Sequence, residues 1–118
     1  MSQPVLDPAV IERLRQLTLP DEPEVLKEVL QLFLEDVPGR IERLRAAWQA
    51  GNAVEVQRSA HSLKGSAGNI GASNLLAVCR LLDDHGTSGD LSNLPGLVAS
   101  LDAEYARVEA EIARLIGA

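Results

Sequence analysis

The apolar residues Leu26, Leu30, Phe33, Val37, Ile41, Leu44 and Trp48 step by four, three, four, four, three, four. That spacing draws one stripe along an α-helix; a strand would repeat every second residue. The same rhythm returns in Leu94, Val98, Leu101, Tyr105, Val108, Ile112 and Leu115, the cleanest heptad pattern in the chain. Shorter stripes are Val56, Ala60, Leu63, Ala67 and Ile70, then Leu75, Cys79 and Leu82 flanked by Leu76 and Val78. Ile11, Leu14 and Leu17 make a small one near the start. No alternating pattern and no internal repeat interrupts them. Four amphipathic helices must cover one another's stripes, so the expected fold is all-α. It is an antiparallel four-helix bundle with an additional short N-terminal helix. The last stripe would also suit an oligomeric coiled coil. Packing within the chain satisfies all four stripes at once, and a monomer is expected.

Local signals place the boundaries. Residues 1–6 read as a lead-in. Asp7-Pro8 reads as an N-cap followed by proline at the first helical position, with Leu6 and Ile11 spaced as a hydrophobic staple. That helix ends before Pro20. Asp21 and Glu24 have capping-box spacing and open the next helix. Its stripe keeps phase through Pro38-Gly39, which fits one kinked helix or two coaxial ones. The unbroken phase favours the first. Gly51 stops it, and Asn52 with Glu55 caps a third helix that runs to Gly71. Ala72 or Ser73 opens a fourth, which stops at Gly86, with His85 in its last turn. Residues 86–93 read as a loop, and Pro95 opens the final helix. At 118 residues the chain makes one domain, 1–118, whose core must come from Leu, Val, Ile and Ala because Phe33, Trp48 and Tyr105 are its only aromatics.

Charge and cysteine usage narrow the function. The net charge is −6, and no basic stripe is present to meet nucleic-acid phosphates. Cys79 is the one cysteine and lies on an apolar stripe, so a buried, reduced core residue is expected. No apolar run approaches the roughly 20 residues of a membrane span, and residues 1–4 lack a signal-peptide layout. A cytoplasmic protein is expected. The start at Met1 fits a free-standing carrier, a module of a larger sensor kinase being the alternative.

The chemistry gathers on the third helix. Opposite its apolar stripe, Gln57, His61, Lys64, Gly65 and Gly68 share a face. His61 should look into solvent, with Lys64 one turn further on. Gly65 and Gly68 sit inside the helix, where each costs about 1 kcal/mol relative to alanine. A backbone bare of side chains beside an exposed imidazole lets another surface come close. A neutral imidazole, with an unperturbed pKa of about 6.5, is a nucleophile able to take a phosphoryl group. A neighbouring ammonium would then hold the negative product. His61 is thus the candidate phosphoacceptor, most simply through Nε2, which reaches farther from the helix. Lys64 is the candidate phosphate-stabilising group. Gln57, Gly65, Gly68 and the apolar Val54 are candidates for the partner-docking surface.

Other chemistries fit less well. His61 and His85 lie 24 positions apart with no carboxylate at helical ligand spacing, so no metal site is expected. Ser62 points about 100° away from His61, which leaves a hydrolytic pair without geometry. The Gly65, Gly68, Gly71 spacing is not a P-loop, and no nucleotide or other cofactor is expected on the chain. A helical adaptor that binds a signalling partner without phosphate remains the alternative of a different class, distinguished by indifference to His61.

Ala60-His61-Ser62-Leu63-Lys64-Gly65-Ser66-Ala67, followed by Ile70-Gly71-Ala72, resembles the phosphoacceptor helix of histidine-containing phosphotransfer (HPt) domains of two-component phosphorelays. Leu32 to Asp36 is similar to the family's preceding helix, and Leu75 to Leu82 with Cys79 to its following one. The resemblance implies a four-helix bundle and a phosphocarrier without kinase activity of its own. It implies that His61 exchanges phosphate with aspartates of receiver domains, in response regulators or a hybrid sensor histidine kinase. Any Mg2+ would come with the receiver.

Overall fold

The computed structural model describes residues 4–17 and 24–117. Five helices follow in order: α1 (Pro8–Gln16), α2 (Val25–Gln49), α3 (Ala53–Asn69), α4 (Ser73–Ser88) and α5 (Leu94–Ile116). No strand occurs among the described residues. The connections α2–α3 and α3–α4 are three residues each, short enough to force antiparallel neighbours. α3 packs most extensively on α4 and next on α2, while α5 closes the ring against α4 and α2. The result is the expected four-helix bundle, with α1 as the extra element.

The apolar stripes meet in one core. Leu30, Leu44, Val56, Leu63, Ala67, Leu75, Leu82, Leu101 and Ile112 are all buried. Burying a Leu, Ile or Val side chain contributes about 1.5–3 kcal/mol, so the stripes hold the bundle together. α5 turns its stripe into this core, with Leu94, Val98, Leu101, Val108 and Ile112 buried within the chain. Cys79 lies in the same core, and burial pushes its thiol up to about 12, which removes it from thiolate chemistry.

Caps agree with the local signals in several places. The Asp7 carboxylate accepts from the Ala9 N–H at 2.9 Å, and the Asn52 side chain from the Glu55 N–H at 3.2 Å. Gly51 and Gly71 adopt positive φ at the ends of α2 and α3, where a side chain would strain the turn. The Asp7 N–H also donates to the Gly71 carbonyl at 2.8 Å, and Leu6 is buried, so the end of the lead-in fastens α1 over the α3–α4 turn. α2 is a single helix that runs on through Pro38. Its N-cap is Glu24, without a side-chain capping bond; the expected cap Asp21 lies outside the described residues.

One boundary is corrected. The loop expected over 86–93 begins later, because α4 continues through Gly86 to Ser88 and ends on Gly89 at φ 81°. Gly86 is buried inside the helix. A Cβ placed on it would stand 2.6 Å from the Gln57 backbone nitrogen and 2.7 Å from its Cα. Glycine is needed there for a close approach between helices, a use that looks identical to a helix stop in a single sequence. His85 lies in the last turn of α4, and its Nδ1, 2.9 Å from the Asp90 carbonyl, donates to it and ties the α4–α5 connection.

Candidate functional site

The face of α3 opposite the core develops as its sequence requires. Val56, Ala60, Leu63 and Ala67 point inward and are buried. The remaining positions place His61, Gly65 and Gly68 in solvent, with Gln57 and Lys64 half-buried at the edge towards α4. The His61 side chain is 69% exposed, so its ring is reachable by another macromolecule. Nothing lies within 4 Å of a Cβ built on Gly65 or Gly68, which leaves the flank beside the ring open. Val54, seven residues before His61 and so nearly in line with it, is 62% exposed.

The centre of the site is a residue from α4. Asp83 is buried, yet it is a carboxylate. The Lys64 ammonium donates to its Oδ2 at 2.8 Å and the Gln57 amide to its Oδ1 at 3.0 Å. His61 Nδ1 stands 3.6 Å from the same Oδ2, longer than a hydrogen bond but close enough for the charge to be felt. The Lys64 hydrogen bond is the main reason that the Asp83 carboxyl is held below the usual carboxylate range, with Gln57 adding to it against the opposing effect of burial. The carboxylate therefore stays ionised at neutral pH. A negative oxygen facing Nδ1 favours the tautomer with the proton on that nitrogen, which leaves the lone pair of Nε2 directed outward.

Of the expected site residues, the structure brings Gln57, His61 and Lys64 together around Asp83. Gly65, Gly68 and Val54 stand on the open face beside them. The Gln57 amide has an internal partner in Asp83. On the far flank of α3 the Ser62 hydroxyl accepts from Arg40 of α2, which turns it away from His61. Among the described residues no group of three or more His, Cys, Asp or Glu could hold a metal ion, and no helix is long and apolar enough to cross a membrane.

A family model described as the Hpt domain matches residues 28–111. The chain belongs to the Hpt domain family. The crystal structure of histidine-containing phosphotransfer protein B (HptB) from Pseudomonas aeruginosa PAO1 is 33% identical to this Hpt domain, with a TM-score of 0.86. The match covers 96% of this chain and 95% of that one. No curated protein sequence matches it. Histidine phosphotransfer within a phosphorelay is the function of this Hpt domain, and the reading as a phosphate-free adaptor is not favoured. Hpt domains are phosphocarriers rather than kinases, and they work with receiver domains and kinases of two-component systems.

Sequence reasoning missed Asp83 and Gly86. A signal existed for both. Asp83 follows the core residue Leu82 and lies four after Cys79, on the shoulder of the inward stripe, where an unpaired charge is not tolerated. Gly86, three further on, shares that side of α4. Together they mark a place where α4 comes close to a polar partner. The partner itself depends on how α3 and α4 pair, which neither helix reveals alone.

Proposed function

We propose that His61 is the phosphoacceptor of this Hpt domain, with Asp83 as its positioning residue and Lys64 as the cation that holds the product. The observation carrying this reading is the exposed His61 ring set beside the Asp83–Lys64 pair. In the forward step the Nε2 lone pair attacks the phosphorus of a receiver aspartyl phosphate. The N–P bond forms as the P–O bond to the aspartate breaks, and the aspartate leaves as a carboxylate. The Nδ1 proton stays in place, stabilised by Asp83 as positive charge builds on the ring. The reverse step returns the group to a receiver.

Lys64 rests on Asp83 in the free domain and is placed to share its charge with a phosphoryl group one turn away. Gly65 and Gly68 admit the partner, and Val54 extends the contact with apolar surface. A transient relay contact of this kind should bury on the order of 1,200 Å² or less in total. The metal that neutralises charge in phosphoryl transfer is supplied by the receiver, and the chain itself has neither kinase activity nor cofactor. It acts as a monomer, since α5 uses its apolar stripe inside the bundle. The free, buried thiol of Cys79 suits the reducing cytoplasm.

Nuclear magnetic resonance of nitrogen-labelled protein tests the assignment of roles. The free domain should show a His61 proton on Nδ1, and the phosphorylated domain should show phosphorus coupled to Nε2. In Asp83→Asn the tautomer preference should weaken, while a conservative Asp83→Glu keeps part of it. Phosphorus on Nδ1, or a tautomer ratio unmoved by Asp83→Asn, would contradict the roles given to Nε2 and Asp83.

A further inference from the structure

The groove between α2 and α3 contains a cleft of about 250 Å3 lined by Arg40, Arg43, Glu55, Arg58, Ser59 and Ser62. Three guanidiniums face one carboxylate there. In a chain of net charge −6 with 11 lysines and arginines in all, this is a local reversal of sign. The three are only lightly engaged. Arg58 approaches Glu55 at 3.9 Å with its side chain 72% exposed, a contact of little worth in water. Arg40 donates to the Ser62 hydroxyl, and Arg43 is exposed without an ion-pair partner among the described residues. The cleft lies on the flank next to the phosphoacceptor face, since Arg58 precedes His61 by about one helical turn and so stands only about 60° from it around α3.

We propose that this cleft is a second docking arm for the receiver partner and takes an acidic segment of that protein's surface. The proposal rests on His61 being the phosphoacceptor. The arginines are spread over two helices, with Arg43 and Arg58 open to solvent and Arg40 half-buried between them, which suits several carboxylates on a protein surface better than one small anion. Guanidinium forks bind carboxylates in two-point fashion, so the arm sets orientation as well as attraction. A receiver with an acidic docking surface would otherwise be repelled by this carrier of net charge −6. A basic strip beside the acceptor ring steers the encounter to the one productive face and disfavours receivers without a matching acidic patch.

Transfer from a phosphorylated receiver domain is measured for the wild type and for the double variant Arg43→Glu, Arg58→Glu. Salt is varied from about 0.02 M to about 0.5 M, across which the screening length falls from about 20 Å to about 4 Å. Phosphoramidate, a small donor that needs no docking surface, is run beside it, and circular dichroism confirms the fold. The variant should be about tenfold slower with the receiver at low salt, approach the wild type at high salt, and match it with phosphoramidate. Lysines placed at the receiver's acidic patch should restore the variant. Equal rates with the receiver at low salt, a deficit independent of salt, or an equal deficit with phosphoramidate would each overturn the docking arm. If the wild type took no phosphoryl group from phosphoramidate, the acceptor reading would fall and the arm with it.

Discussion

Gly65 and Gly68 on α3 and Gly86 on α4 flank the same polar cluster, yet they do opposite things. Around the first two there is open space, which the proposed docking of a partner would use. Gly86 is pressed against the Gln57 backbone, and its missing side chain serves the neighbouring helix. Only by this close approach does Asp83, one turn before Gly86, come under Gln57, Lys64 and His61. One kind of glycine keeps the ring reachable, and the other puts the carboxylate behind it. The difference shows that a helical glycine has to be read from what faces it.

The comparison can be broken most forcefully at Gly86. Gly86→Ala should destabilise the domain by about 1–3 kcal/mol, as overpacking against backbone does, and slow phosphotransfer by displacing Asp83. Thermal unfolding and a transfer assay report the two effects; a variant as stable as the wild type would remove the close approach from the account. Gly65 should behave in the reverse manner. Gly65→Ala should gain up to about 1 kcal/mol of stability from helix propensity, whereas Gly65→Leu should keep its stability and slow receiver-dependent transfer at least about tenfold. A Gly65→Leu variant that transferred normally would show that the open flank is not a docking path.

Lys64→Ala sharpens the picture of what the approach assembles. It leaves Asp83 with Gln57 as its remaining donor, so a loss of about 1–2 kcal/mol is expected, together with a shorter phosphoryl lifetime. Asp83→Asn in the same background should recover part of the stability, because no charge is then left unpaired. The smallest effect is in acid. The folded Asp83 carboxyl titrates below its unfolded value of about 3.9, so its stabilisation is complete above that value and is lost as pH falls through the folded one. The stability gap between wild type and Asp83→Asn, measured by melting at neutral pH, should therefore narrow below about pH 4.

The bundle was legible because each helix writes its buried stripe into the sequence; Leu26 to Trp48 and Leu94 to Leu115 show it plainly, even across Pro38. The acceptor face was legible for the same reason, since a core stripe through Val56, Ala60 and Leu63 turns His61 outward and leaves Lys64 at the edge of the same face. Asp83 was not, because a carboxylate finds its partner across the α3–α4 interface, and the register of two packed helices is not a local property. Gly86 reads as a stop because glycine ends helices and admits neighbours with the same lack of a side chain. The same ambiguity hides the true end of α4 at Ser88.

The central claim is that His61 carries the phosphoryl group. Intact-mass spectrometry at neutral pH, after mixing with a phosphorylated receiver domain, tests it directly beside the His61→Gln variant. With an exposed side chain at this position, the variant should be as stable as the wild type within about 0.5 kcal/mol. The account predicts that the wild type gains one phosphoryl group, that acid removes it, and that His61→Gln gains none. A His61→Gln variant that accepted phosphate to the wild-type level would contradict it.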